Sequence, residues 1–236
     1  IAAASGGVGW FPQSVQAKIR SMKFWCKLLK NERNPAHTVF LDQCKNINNT
    51  CWANHIKQYL DELGLSHIWR AKTTNIDYSI SIKQRILDQY RQTWNASINA
   101  MPKLDYYCKY KTEFKFEKYL YTLVNDSVRR SVSCFRLCSH NLEIEAGRFS
   151  NIPRQDRNCK LCNMNTVESE FHFLLCCPSL SSLREKHFEQ YYRSWPNIQK
   201  FNRLMSTENK PKILNIGKFV KEAFVVREQL LIANNN

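Results

Sequence analysis

The chain has 236 residues, 43% of them apolar, enough to bury one large core or two smaller ones, which excludes disorder over most of its length. Thirty-five Lys and Arg against 20 Asp and Glu leave a formal charge of +15, spread along the sequence rather than held in one tail, a balance that favours phosphate-rich partners. The longest apolar runs, such as Phe173 to Cys177, are far too short to cross a bilayer, so no membrane partner is expected.

The chain starts at Ile1 with IAAASGGVGW, a small and Gly-rich opening without the charged-then-apolar order of a secretion signal. Residues 1–13 are expected to be a disordered start, and the sequence to begin inside a longer polypeptide. Ten cysteines are too sparse for a small disulfide scaffold, and four of them cluster, which favours metal over bridges. An intracellular location is expected, nucleus or cytoplasm, and the N-x-[ST] triplets at Asn48, Asn95 and Asn125 are then chance matches.

Residues 14–30 place Val15, Ile19, Met22, Trp25 and Leu29 on one helical stripe among lysines and arginines, with Ser14 as the cap. A short helix is expected over 36–46. Thr50 to Leu63 repeats the pattern with Trp52, Ile56, Tyr59, Leu60 and Leu63, and Gly64 ends it. From Ser81 to Asn99, Ile82, Ile86, Tyr90, Trp94 and Ile98 recur every fourth residue; a domain boundary is expected near Pro102, dividing 14–101 from 102–236.

Beyond that boundary, LDYYCKYKTEFKFEKYL interleaves aromatic residues with Lys109, Lys111, Lys115 and Lys118. Single-stranded nucleic acid uses such pairs for stacking and phosphate contact, although aromatics at these spacings are more often core. Asp126 to His140 reads as a further helix. Helices are also expected over Leu180 to Tyr192, Asn197 to Met205 and Pro211 to Ala233, the last striped by Ile213, Ile216, Val220, Ala223, Val226 and Leu230.

The chemistry-bearing pattern lies between these helices. Cys159 and Cys162 form a C-x2-C pair, and His172 and Cys177 follow at short distance, which suits tetrahedral Zn²⁺ with all four positions filled by protein and therefore structural. Cys134 and Cys138 stand four apart with His140 nearby, a pattern that buried free thiols explain as readily. Of the adjacent pair at the end, an unbroken helix would set Cys176 on the face of His172, whereas Pro178 opens the helix at Cys177 and lets that thiol swing back to the metal. Cys177 is the expected ligand.

At these residues the sequence resembles the zinc-binding region that follows the reverse transcriptase domain in LINE-like, non-LTR retrotransposon polyproteins. The matching positions are Gly147, Arg148, Cys159, Cys162, Glu168, His172, Cys177 and Pro178, within EAGRFSNIPRQDRNCKLCNMNTVESEFHFLLCCP. KFWCKLL, GLSHIW and FVKEAFVVRE add a looser likeness elsewhere. The resemblance implies a polymerase tail that grips template RNA or target DNA, with Arg148, Arg154, Arg157 and Lys160 beside the zinc as further candidate phosphate contacts.

Catalytic signatures are missing from the sequence. No adjacent aspartates occur that could hold two metal ions for phosphoryl transfer, GGVG at 6–9 lacks the rest of a P-loop, and the acids after Cys177 are scattered. The expectation is an all-α protein with a small CCHC zinc knuckle at 147–180, binding nucleic acid and not catalytic on its own. The rival is an inert retrotransposon remnant or protein-interaction scaffold held together by zinc.

Overall fold

The computed structural model describes residues 2–71 and 77–234, and the described residues are mainly helical, with one isolated antiparallel bridge between Asn158 and Val167 and no strand. The chain divides into two compact units, residues 10–96 and a second made of 1–9 with 97–236.

The opening is not irregular. Residues Ala2–Val8 form helix α1 with Gly6 and Gly7 buried, while Ile1 lies outside the described residues. Its small side chains let the segment dock closely: the Glu117 N–H donates to the Gly7 carbonyl at 3.0 Å and the Tyr107 hydroxyl to the Ala3 carbonyl at 3.0 Å. Partners more than a hundred residues away, which no local pattern announces, order this segment.

The unit of residues 10–96 holds α2 (Gln13–Lys30), α3 (Pro35–Lys45), α4 (Trp52–Glu62), α5 (Ser66–Ala71) and most of α6 (Ser79–Asn99). The apolar stripe of α2 is buried as expected, with Trp25 fully enclosed and its ring 6.2 Å from Trp69; Phe40 meets Trp69 edge-on at 5.9 Å. Ser14 does not cap α2, because the helix begins at Gln13 behind Pro12 and Ser14 lies inside it. Gly64, at φ +69°, ends α4 as expected, and the Leu65 N–H reaches back to the Leu60 carbonyl at 2.7 Å.

In the second unit, residues 102–122 make short turns rather than a long helix, among them α7 (Tyr107–Tyr110) and α8 (Tyr119–Thr122). Tyr107, Tyr110 and Tyr119 are buried, so most of the aromatic run is core, whereas Phe116 and Tyr121 stay exposed and stack at 6.0 Å. Then come α9 (Asp126–Arg136), α10 (Glu143–Phe149), α11 (Ser181–His187), α12 (Gln190–Arg193), α13 (Ile198–Met205) and α14 (Lys210–Asn234). The helix expected over 180–192 breaks at Phe188, which is extended and turns its ring into the core, 4.7 Å from Phe219 of α14. Helix α14 runs along α9 and α11 and buries Ile213, Ile216, Phe219, Val220 and Ala223.

Candidate metal centre

Cys159 and Cys162 sit at the mouth of a small hairpin. The Cys159 N–H donates to the Thr166 carbonyl and the Glu168 N–H to the Arg157 carbonyl, each at 2.9 Å, while Asn165 takes a positive φ of 50° at the turn. This closes the loop and points both thiols toward the start of the next turn. There His172 and Cys177 bracket a π-helical segment, His172–Cys176, in which the Cys177 N–H bonds to the His172 carbonyl at 2.8 Å.

The donor atoms of Cys159, Cys162, His172 and Cys177 all lie within 4.8 Å of one another. Cys159 Sγ is 3.9 Å from Cys177 Sγ, and Cys162 Sγ is 3.4 Å from His172 Nε2. His172 Nδ1 stands 3.2 Å from Thr166 Oγ1, which leaves Nε2 for a ligand and fixes the ring. Three sulfurs and one imidazole nitrogen at this spacing could hold a metal ion, and the donor set is compatible with zinc. The Cys177 thiol is held well below the ordinary thiol range by the hydrogen bond from Cys159 and by His172, and the Cys159 thiol is pushed up by that shared hydrogen bond and by burial.

The π-turn decides between the adjacent cysteines. By closing onto the fifth residue instead of the fourth, it carries Cys177 round to the face of His172, and Cys177 leaves the turn with an extended ψ of 118°. Cys176 instead points away, and burial raises its thiol to about 11.

A buried ionic clamp supports the hairpin. Glu168 is fully enclosed; both its carboxylate oxygens accept from Arg227 of α14, at 2.8 Å each, and Oε2 also accepts the Glu143 N–H at 2.7 Å. Its Oε1 lies 4.0 Å from Cys159 Sγ, so the clamp runs directly from the last helix to a candidate ligand. Arg184 of α11, also buried, donates through Nη2 to the Cys177 carbonyl. Sequence reasoning found Glu168 through the resemblance but missed Arg227 and Arg184; both are arginines on otherwise apolar helix faces, the one signal available.

Gly147 packs against Arg157. A Cβ there would lie 2.7 Å from Arg157 Cγ, and Arg157 cannot withdraw freely because its Nε and Nη1 donate to the Ile152 and Ile144 carbonyls at 2.9 and 2.7 Å. Gly147→Ala is expected to cost about 1–3 kcal/mol of stability, read from chemical denaturation; an unchanged midpoint would show that Arg157 yields.

The candidate phosphate contacts fare unevenly. Arg157 is turned inward to those carbonyls, and Lys111 is buried beside Glu117, because each satisfies groups that the fold would otherwise leave unpaired. Lys109 and Arg154 pair with Asp105, Arg148 with Glu145 and Lys160 with Glu143, all at the surface end of the cation. Lys115 and Lys118 share Glu208. Sequence reasoning missed Arg20, Lys23 and Lys27, an exposed stripe along α2 with no ion pair among the described residues.

A second group, Cys138, His140 and Glu170, also gathers its donor atoms within 4.8 Å, with His140 Nε2 3.0 Å from Glu170. Cys134 takes no part in it. Of the five acids after Cys177, four are spread over separate ion pairs: Glu185 with Arg193, Glu189 with Lys212, Glu208 with Lys115 and Lys118, Glu222 with Lys186 and His187. Comparison with family profiles, with curated proteins and with solved structures finds no match to this chain.

Proposed function

We propose that the protein is a zinc-stabilised nucleic-acid-binding region of a non-LTR retrotransposon reverse transcriptase-like protein, without a catalytic centre of its own. The observation that carries the reading is the convergence of Cys159, Cys162, His172 and Cys177 on one point, with Thr166 orienting the imidazole. Zinc there has no open position for water or substrate, so it would hold the hairpin to the π-turn rather than catalyse. Three thiolates around a divalent ion leave one negative charge, and the buried Arg184 guanidinium beside Cys177 offsets it.

The resemblance supports the retrotransposon assignment through Gly147, Glu168 and Pro178 as well as the ligands. Gly147 stands where a side chain would strike Arg157, and Glu168 anchors the hairpin to α14. The net charge of +15 supports an anionic partner, and the exposed stripe of Arg20, Lys23 and Lys27 gives it a place to make phosphate contacts.

The rival, a scaffold in which zinc only holds helices together, draws on the fact that most of the nominated lysines and arginines already face carboxylates. Salt dependence separates the two. Single-stranded RNA or DNA is expected to bind with an affinity that falls about tenfold or more between 50 and 200 mM salt (about three phosphate contacts suffice), and Arg20→Glu with Lys23→Glu is expected to flatten that slope. No binding at low salt, measured by fluorescence anisotropy, would favour the scaffold.

A further inference from the structure

Residues 111–118 pass beside the start of α14 and border a half-open cavity of about 160 Å³. Its floor is apolar, formed by Val132, Met205, Ile213 and Ile216, and Tyr110, Phe116 and Tyr119 contribute to its walls. A cavity of about this volume accepts a single planar ring.

The charges around it do not balance. Lys111, Arg136 and Glu117 are all buried, and Glu117 is shared by both cations, with Lys111 Nζ at 3.4 Å and Arg136 Nη2 closer. One carboxylate against two cations leaves an excess positive charge away from water, a costly arrangement unless something else compensates it. Lys111 Nζ donates to the Lys115 carbonyl at 2.6 Å, Arg136 Nη1 donates to the Met205 carbonyl at 2.6 Å, and the Tyr110 and Tyr119 rings face the guanidinium at 4.6 and 4.9 Å, but Arg136 Nε has no partner among the described residues. Burial holds the Lys111 ammonium below its ordinary value, with Glu117 pulling the other way. At the rim Lys115 and Lys118 are exposed and share Glu208.

We propose that this cavity takes one unstacked keto pyrimidine, uracil or thymine, with its carbonyl oxygens toward Lys111 and Arg136 and its phosphate on Lys115 and Lys118. The proposal deepens the nucleic-acid reading and rests on it for the source of the base. The selectivity follows from the donor inventory. Ammonium and guanidinium groups only donate, so they match the O4 of thymine or uracil and oppose the exocyclic amine of cytosine. Unstacked bases held against aromatic walls are the usual form in which single strands are read.

The test compares oligo(dT) with oligo(dC), each of about 12 nucleotides, by fluorescence anisotropy on the full chain, because the two bases differ in the group at C4, a carbonyl in one and an amine in the other. Oligo(dT) is expected to bind about tenfold tighter, and Ser206→Phe, an exposed position at the cavity, is expected to erase that difference while leaving oligo(dC) affinity in place. Glu208→Gln, which releases Lys118 and leaves Lys115 paired with Glu113 alone, is expected to tighten both. Competition by thymidine monophosphate would show that the free nucleotide is also a ligand; its failure, with the oligo(dT) preference intact, would assign the cavity to a base within a strand. Equal affinities, or a preference that survives Ser206→Phe, would overturn the proposal while leaving general nucleic-acid binding standing. Absence of binding by every oligonucleotide would instead strike the nucleic-acid reading, and the cavity assignment would then stand or fall on thymidine monophosphate alone.

Discussion

Cys177→Ser is expected to weaken zinc binding by about a thousandfold, while Cys176→Ser keeps the metal and loses only modest packing stability. The magnitude follows from a structural zinc site being worth roughly 10–16 kcal/mol, of which one ligand in four carries up to about 4 kcal/mol, close to a thousandfold. The direction follows from the π-turn, which brings Cys177 Sγ to 3.9 Å from Cys159 Sγ. Zinc competition titration of the two variants decides it. Loss of metal in Cys176→Ser with retention in Cys177→Ser would show that the segment is an ordinary α-helix in the bound state. Chelation of the wild-type protein should loosen residues 147–180 more than the first hundred, because the four ligands tie the hairpin to the turn that follows it.

Arg227→Met is expected to cost about 3–5 kcal/mol of folding stability, with a fall in Tm of roughly 10 °C. Glu168 is fully buried and gives both oxygens to Arg227, so removing the guanidinium leaves a carboxylate without a counter-ion 4.0 Å from the Cys159 sulfur. Zinc affinity should fall with it, about 10- to 100-fold, as it does when a group supporting a ligand is lost. Adding Glu168→Gln to Arg227→Met is expected to recover part of the stability, because the desolvated charge is then gone. Urea denaturation and zinc titration of the single and double variants test both effects; a single variant within about 1 kcal/mol of wild type would mean that water reaches Glu168.

The sequence by itself determined the helices whose apolar residues recur with the helical period and the identity of the four candidate ligands. The stripes of α2, α4, α6 and α14 are local patterns, so their burial could be read without knowing what covers them. C-x2-C followed closely by His and Cys restricts the chemistry to a soft tetrahedral set before any coordinates exist. Even so, the choice of Cys177 over Cys176 rested on Pro178, whereas the structure makes it through a π-turn, whose fifth-residue closure leaves no mark in residue spacing.

Tertiary structure decided whatever depends on a distant partner. Helix α1 is ordered by Glu117 and Tyr107, and the aromatic run at 106–121 breaks into short turns because Tyr107, Tyr110 and Tyr119 are pulled into the core from different directions. Lys111 and Arg157 look like surface cations in the sequence, yet Glu117 for the one and the Ile144 and Ile152 carbonyls for the other hold them inside. Arg227 meets Glu168 across 59 residues of sequence. Periodicity reports only which face of an element is apolar; which charge is carried inside, and what neutralises it there, is fixed by the partner that the fold brings up to it, because a desolvated charge is stable only where such a partner waits.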